Sequence, residues 1–329
     1  MLGHDPYIGA THSKFKRVNR PVKSSARCEK ATELAPAAAI PALVAGAIAV
    51  GASPIFVRIS ELGPFATAFW RVALALPVLF LWHAWEQKTW RLEPPRAEAR
   101  GLALAGVLFA GDLIFWHLAI RHTTVANATL FANFSTVVVA LGAWLLLGER
   151  LTRRFIAGLA LALTGAVLLS GATYQLDPDY LVGDAYGLIT ALFFGSYILA
   201  VRSARARTTA AGLMLWSGIV TAAALLVATL VMGEPLWPHS LYGWVVLTAL
   251  AWISHAGGQG LIAYALGHLP AGFSSLVVLM EPLAAAVLGW LILAEALTLQ
   301  QAIGGAVILA GVLLARERQA ARRRARANA

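Results

Sequence analysis

The chain has 329 residues, of which 59% are hydrophobic and 13% are charged, and its mean hydropathy is +0.71. A soluble globule of this length needs more polar surface, so the composition excludes that class and indicates an integral membrane protein. The net charge of +10 does not indicate a nucleic-acid partner, because the basic residues lie in tails and between apolar runs. The single cysteine, Cys28, excludes an intramolecular disulfide framework and a cysteine-rich zinc site.

Residues 1–33 are basic and polar and lack the apolar core of a signal peptide, so we interpret them as a cytosolic tail. The chain after this tail divides into ten apolar runs, each close to the ~20 residues that a membrane-spanning helix requires. A second basic tail, 317–329, follows the last run. The predicted spans are 36–57, 64–84, 99–120, 124–147, 153–171, 182–202, 208–231, 241–266, 270–293 and 298–315.

The distribution of basic residues predicts the orientation of these spans. Of the 26 Lys and Arg residues, Arg58 and Arg121 fall on one side of the membrane and Arg71 within the second span, which leaves 23 on the side of the two tails. Cytosolic segments of membrane proteins carry such an excess. Both termini are therefore predicted to be cytosolic, and this arrangement requires an even number of spans.

An internal repeat divides the chain into halves. Residues 103–168 align with 249–314 at a constant offset of 146 without a gap, and 20 of the 66 positions are identical. The identities include His122 with His268, Trp144 with Trp290, and Glu149-x-Leu151-Thr152 with Glu295-x-Leu297-Thr298. Five spans per copy is an odd number, so the second copy must enter the membrane from the opposite side. The sequence predicts an all-α membrane protein with two inverted five-helix repeats, 34–171 and 180–316.

Several short motifs resemble the drug/metabolite transporter superfamily, specifically its EamA-type ten-helix exporters, over roughly 34–316. The motifs are Phe69-Trp70-Arg71, Gly148-Glu149-Arg150-Leu151-Thr152, Leu269-Pro270-Ala271, Glu281-Pro282 and Ala294-Glu295-Ala296-Leu297-Thr298. The resemblance implies a multi-pass carrier of the cytoplasmic (inner) membrane that exports amino acids or other small metabolites. Family members similar in the N-terminal half have proline where this chain has Thr136, so the fourth span is expected to bend less than the ninth.

Two acidic residues in the middle of spans are the first candidates for function. Glu281 and Pro282 lie about eleven residues into the ninth span, about 16 Å deep. Pro282 frees the carbonyl of Val278, which is tolerated only beside protein or a water-filled cavity. Asp112 lies at similar depth in the third span, and intramembrane charges typically mark transport pathways. The alternatives are a packed kink at Glu281 and a structural salt bridge at Asp112.

Polar and aromatic residues in the middle of spans complete the predicted substrate path. The path comprises Asp112, Trp116, Asn127, Asn133, Ser135, Tyr197, Trp252, His255, Gln259, Tyr264 and Glu281, and Pro282, Gly257 and Gly258 are the hinge or kink candidates. Amides can bind amino and carboxylate groups, although interhelical hydrogen bonding explains them equally well. Close helix packing is favoured for the glycines, and packing within the core for the aromatic rings and histidines. Arg71 either pairs with an acid inside the bundle or extends to the membrane surface.

The sequence favours one of three functional classes. A carrier is favoured by the repeat, the proline-interrupted span and the motifs. An enzyme is not predicted, because no H-E-x-x-H helix, nucleophile elbow or P-loop occurs. A membrane receptor or structural protein remains an alternative, as does efflux of drugs or other metabolites, although 36–57 lacks the acidic residue of small multidrug pumps. Neutral or aromatic amino acids would suit a cavity lined by amides and tryptophans. No cofactor or metal is predicted. The sequence does not distinguish proton antiport from facilitated diffusion.

Overall fold

The computed structural model describes residues 36–90, 97–123, 125–170, 178–294 and 296–316, which belong to one compact unit. The described residues are helical and contain no strand. We number the helices α1 to α10 and mark the two parts of an interrupted helix a and b. They are α1a (Pro36–Gly51), α1b (Ser53–Arg58), α2a (Pro64–Ala73), α2b (Leu76–Gln87), α3 (Ala99–His122), α4a (Val125–Ala132), α4b (Ser135–Leu147), α5 (Arg153–Ser170), α6 (Pro178–Ala204), α7 (Ala210–Val231), α8a (Leu241–Ala249), a π-helix (Leu250–Gln259), α8b (Gly260–Leu266), α9a (Ala271–Val278), α9b (Met280–Leu293) and α10 (Leu299–Ala315). The two predicted tails and Glu295 lie outside the described residues.

Nine stretches of the described chain are long and apolar enough to cross a membrane, which confirms a multi-pass helical membrane protein. They begin with Ala37–Arg58, end with Ala271–Ile292 and have mean hydropathies between 1.3 and 2.1. The last apolar helix, α10, has 17 residues and is shorter than the other nine. A helix of that length rises about 26 Å, just under the hydrocarbon thickness of a bilayer.

Proline accounts for three of the helix interruptions. The chain breaks at Ala52 before Pro54, at Leu74–Ala75 before Pro77, and at Leu279 before Pro282. Each proline lies in the first turn of the helix that follows, where its missing N–H would have no intrahelical partner. The kink expected around Val278–Pro282 therefore takes the form of a one-residue interruption of the ninth helix.

The fourth helix is interrupted without a proline. The break covers Asn133 and Phe134, so it is one residue longer than the break at Leu279 in the ninth helix. The N–H of Phe134 donates to the Phe131 carbonyl at 3.1 Å, and the N–H of Thr136 donates to the Asn133 carbonyl at 3.1 Å. These i→i−3 bonds tighten the turn locally, so the backbone can leave the α-helical pattern while its donors stay paired.

Glycine lets α5 and α10 pack at backbone contact. A Cβ atom on Gly158 would lie 2.6 Å from the Gly311 carbonyl oxygen, and one on Gly165 would lie 2.7 Å from the Gly304 carbonyl oxygen. Small residues allow such close approach between membrane helices, where dispersion rather than the hydrophobic effect holds them together. Elsewhere α3 packs against α6 and α7, while the segment 250–266 packs against α1a.

Glutamates in the connections between helices cap helices that are distant in the sequence. Glu149 accepts hydrogen bonds from the N–H groups of Ala271 at 2.7 Å and Gly272 at 3.1 Å, in the first turn of α9a. Glu234 accepts from the N–H of Ala66 at 2.9 Å, in the first turn of α2a. A carboxylate at a helix N-terminus pairs with otherwise unsatisfied donors and with the positive end of the helix dipole.

Glu61 makes a third contact of this kind, before α8a. It accepts from the backbone N–H groups of His239 at 3.0 Å and Ser240 at 3.2 Å and from the Ser240 hydroxyl. The hydrogen bond from the Ser240 side chain, with the two backbone donors, lowers the pKa of Glu61 below its usual value. The connections after the first and seventh helices are therefore joined by Glu61 and Glu234 at one end of the bundle.

Candidate functional site

A cavity of about 630 Å³ lies inside the bundle and is lined by parts of most of its helices. Its inner end is formed by Arg71, Asp112 and Gln259, which all lie within membrane spans. It extends to the end of the bundle that carries Arg58 and Gln301. Residues at the opposite end of the described helices do not line it, so the cavity opens in one direction.

Three ionisable side chains line the inner end of this cavity. Arg71 in α2a and Asp112 in α3 are buried, with 7% and 9% of their surface exposed, and Glu281 in α9b lines the same space. The guanidinium of Arg71 is close enough to interact electrostatically with both carboxyl groups. Of the two alternatives left open by the sequence, the structure therefore places Arg71 inside the bundle and not at the membrane surface.

Several polar atoms around this cluster have no hydrogen-bond partner among the described residues. They are Arg71 Nε, Asn133 Nδ2, Gln259 Oε1 and Ser53 Oγ, and all four residues line the cavity. An unpaired polar atom is costly away from water, so four of them in residues that line the cavity indicate a site for polar ligands. The set contains both donors and acceptors, which suits a ligand carrying groups of both kinds.

The helix interruptions place these groups. Ser53 directly follows the break at Ala52, Asn133 lies in the break of the fourth helix, and Gln259 ends the π-helix. Arg71 comes one turn before the break in the second helix. Interruptions of the i→i−4 pattern are frequent at functional sites, because they turn side chains and backbone groups towards a cavity.

Aromatic rings form one wall of the cavity. Phe109, Trp116 and Phe194 line it directly. Tyr197 and His255 are buried behind this wall, with ring centroids 4.7 Å and 5.5 Å from that of Phe109. The two residues support the wall and do not reach the cavity surface.

The remaining predicted residues divide into two groups. Ser135 and Pro282 line the cavity together with the groups already described. Asn127 is buried elsewhere in α4a, and Tyr264 contacts His268, with 4.9 Å between ring centroids. Trp252 is 54% exposed and donates its indole N–H to the carbonyl of Leu74 at 3.1 Å, next to the break in the second helix.

The two glycines of the π-helix lie away from the cavity. A Cβ on Gly258 would lie 2.8 Å from the side chain of Val50 and 3.2 Å from the carbonyl of Gly46. Gly258 thus permits close packing against α1a, which favours packing over a hinge at this position. A Cβ on Gly257 would meet, among the described residues, only the Trp252 carbonyl of the same π-helix, at 3.1 Å.

Sequence reasoning missed several hydroxyl groups of the cavity, namely those of Ser53, Thr129 and Thr190. The Thr190 hydroxyl donates to the carbonyl of Tyr186 at 3.0 Å, a common arrangement in membrane helices that makes threonine inconspicuous in an apolar span. Ser53 stands beside Pro54, and a polar residue next to a proline inside a span was the available signal.

The end of the bundle opposite the cavity mouth is held by polar contacts. Glu149 caps α9a there, and the Thr136 hydroxyl donates to the carbonyl of Ser275 at 3.4 Å. Arg205 donates to the Ala263 carbonyl at 2.9 Å. Burial and the charges of Arg205 and Arg202 lower the pKa of His268, so that imidazole is neutral at pH 7. These contacts close the bundle beneath the charged cluster.

Membrane-spanning helices packed around a cavity that contains polar groups and opens at one end are typical of small-molecule transporters. The EamA-like transporter family model matches residues 37–171 and again 181–316. The chain belongs to this family, which confirms the resemblance seen in its motifs. It is accordingly a multi-pass membrane protein and a transporter.

Named relatives agree with this assignment. An uncharacterised transporter of Archaeoglobus fulgidus is 30% identical over 65% of this chain and 74% of its own. The pseudopaline exporter CntI of Pseudomonas aeruginosa is 28% identical over 63% and 72%. A probable terminal-alkyne amino-acid exporter of Streptantibioticus cattleyicolor is 28% identical over 70% and 78%. A solved crystal structure with a TM-score of 0.73 and 19% identity covers 85% of this chain and 96% of its own, which shows a shared fold.

Proposed function

We propose that the protein is a secondary transporter that exports small metabolites across the cytoplasmic membrane by alternating access, with neutral or aromatic amino acids as its substrates. The observation that carries this proposal is the cavity, which runs from the Arg71, Asp112 and Glu281 cluster to one end of the bundle only. A site in the middle of the membrane, reached from one side at a time, is what alternating access requires.

The packing of α5 and α10 supports two inverted repeats, 34–171 and 180–316, in a ten-helix bundle. Under the offset of 146, Gly158 corresponds to Gly304 and Gly165 to Gly311. If each residue is replaced by its counterpart in the other half, the contact between Gly158 and Gly311 becomes a contact between Gly304 and Gly165. The structure contains both contacts. A pair of contacts that exchange in this way is expected at a pseudo-two-fold axis.

The orientation follows from the charge distribution. With both termini cytosolic, the cavity mouth at Arg58 and Gln301 faces outward, and the contacts of Glu149 and Arg205 close the cytosolic end. The structure then corresponds to an outward-open state. Export requires the opposite state as well, in which the contacts of Glu149 and Arg205 separate.

The substrate class follows from the lining. The aromatic wall of Phe109, Trp116 and Phe194 suits an apolar side chain, and the polar atoms at the inner end suit amino and carboxylate groups. Two relatives carry names of exporters, one for pseudopaline and one for a terminal-alkyne amino acid. Amino acids and compounds built from them are consistent with both observations.

The test is transport by purified protein in liposomes, with a panel of amino acids and with or without a pH gradient. Asp112→Asn and Glu281→Gln remove the two acids of the cavity. Asp184→Asn is the matched control, because Asp184 is also buried at 9% exposure but accepts a hydrogen bond from Thr123 and does not line the cavity. We expect both cavity variants to lose transport and the control to keep it.

The variants also distinguish proton antiport from facilitated diffusion. If proton antiport is coupled through these acids, a pH gradient drives transport by the wild type and not by Asp112→Asn or Glu281→Gln. Full transport with unchanged pH dependence in both variants excludes such coupling and leaves facilitated diffusion. A wild type that moves none of the amino acids in the panel contradicts the proposed substrate class.

A further inference from the structure

Arg71 carries the positive charge at the inner end of the cavity. Its side chain is 7% exposed, and its Nε has no hydrogen-bond partner in the part of the chain that the structure describes. Asp112 and Glu281 balance its charge at longer range. A buried guanidinium that keeps an N–H donor unused faces a large desolvation cost, which an anionic ligand would offset.

The surrounding groups define what such a ligand must carry. Asn133 offers a second unpartnered donor through its Nδ2, and Gln259 offers an unpartnered acceptor through its Oε1. A planar guanidinium matches a carboxylate, to which it can donate two parallel hydrogen bonds. The carboxyl groups and the Gln259 oxygen match an ammonium group. Both requirements are met by the zwitterionic end of an α-amino acid.

We propose that Arg71 binds the carboxylate of the exported substrate and so makes the transporter select amino acids over amines and amides. This inference rests on the proposed function and adds to it the residue that determines the substrate class. The amino group of the substrate then faces the carboxyl side of the cluster. The opposing interpretation is that Arg71 serves only as a structural counter-charge for Asp112 and Glu281.

The first experiment compares two ligands on the wild-type protein, so it does not depend on any variant folding. L-phenylalanine and L-phenylalanine amide have nearly the same size, and the amide replaces the carboxylate with a neutral group. Binding to purified protein is measured by calorimetry. A charge-assisted hydrogen-bonded contact predicts affinity for the amide that is about 10- to 150-fold lower. Equal affinity for the two ligands overturns the proposal.

The second experiment repeats the comparison on variants. Arg71→Gln should lower the affinity for phenylalanine to that for the amide. Arg71→Lys should have an intermediate affinity for phenylalanine, because lysine keeps the positive charge but lacks the planar guanidinium fork. Arg100→Gln, an exposed arginine at the start of α3, is the matched control and should behave as wild type. Gel filtration and the thermal midpoint confirm that each variant is folded.

The outcomes separate this inference from the proposed function. If Arg71→Gln weakens the binding of both ligands by the same factor, Arg71 acts through the structure of the site, and the proposed contact with the carboxylate is wrong. If the wild type binds and transports phenylalanine but does not distinguish it from the amide, the transporter assignment stands and the role of Arg71 fails. If the wild type neither binds nor transports any amino acid, the proposed substrate class fails and the inference fails with it.

Discussion

The contact between α5 and α10 allows a sharp test of the repeat architecture. A Cβ atom placed on Gly158 lies 2.6 Å from the carbonyl oxygen of Gly311 and 2.9 Å from the backbone nitrogen of Ala315. Ordinary contacts of a Cβ begin near 3.4 Å. Gly158→Ala must therefore push the two helices apart by up to roughly 1 Å, because backbone atoms cannot turn away as a flexible side chain can.

The expected cost follows from that displacement. Overpacking of a close-packed contact destabilises proteins by about 1–3 kcal/mol, which lowers a thermal midpoint by roughly 2–10 °C. Gly101→Ala is the matched control, because a Cβ on Gly101, within α3, meets no atom of the described residues within 4 Å. There the same substitution should raise stability by about 0.4–1 kcal/mol, since alanine restricts the unfolded chain more than glycine does.

The proposed pseudo-two-fold axis adds a stronger requirement. Gly304 corresponds to Gly158 under the repeat, and a Cβ on Gly304 lies 2.5 Å from the backbone nitrogen of Leu169. Gly304→Ala should therefore lower the midpoint about as much as Gly158→Ala. Thermal unfolding in detergent measures all three variants. Shifts at Gly158 and Gly304 no larger than that of Gly101→Ala would refute the close contact, and a shift at only one of them would refute the symmetry.

Three further predictions concern the two ends of the bundle. Glu149→Gln should loosen the cap on α9a and lower stability by about 0.5–2 kcal/mol. It should also increase labelling of an engineered Ser275→Cys from the cytosolic side. Unchanged labelling would contradict the role of Glu149 in closing the bundle. Because hydrogen bonds lower the pKa of Glu61, its contribution to stability is present above pH 4.5 and is lost as pH falls through the lowered pKa. The difference in thermal midpoint between wild type and Glu61→Gln should therefore shrink on acidification, and a constant difference would show that the carboxylate does not act by its charge. In a Cys28→Ser background, Pro235→Cys should react with a membrane-impermeant reagent from outside, and reaction from inside alone would reverse the predicted topology.

The spans could be predicted from sequence because apolar length is a local property. The predicted span 99–120 corresponds to α3 (Ala99–His122), and 153–171 corresponds to α5 (Arg153–Ser170). Neither comparison requires knowledge of neighbouring helices. A run of about 20 apolar residues between charged or glycine-rich segments can satisfy its backbone within a bilayer only as a helix, so the sequence determines the element directly.

The lining of the cavity could be predicted only in part, because it depends on which face of each helix is turned inward. Asp112 and Trp116 are four residues apart, share one face of α3 and both line the cavity. Tyr197 is equally deep in the membrane, yet it lies behind Phe109, and Trp252 is exposed on the outside of the bundle. Depth can be counted along the sequence, whereas the direction of a side chain is set by packing against distant helices.

The breaks of the fourth and ninth helices show the same limit for the backbone. The repeat aligns Thr136 with Pro282, and the missing proline favoured a straighter fourth helix. The fourth helix is nevertheless interrupted at Asn133–Phe134, and the Thr136 hydroxyl donates across to the carbonyl of Ser275 in α9a. A break therefore does not require a proline, and Pro41 inside the uninterrupted α1a shows that a proline does not always produce one. The hydrogen bond from Thr136 to Ser275 joins segments beside the two breaks, so packing between distant helices can hold a break that no proline produces.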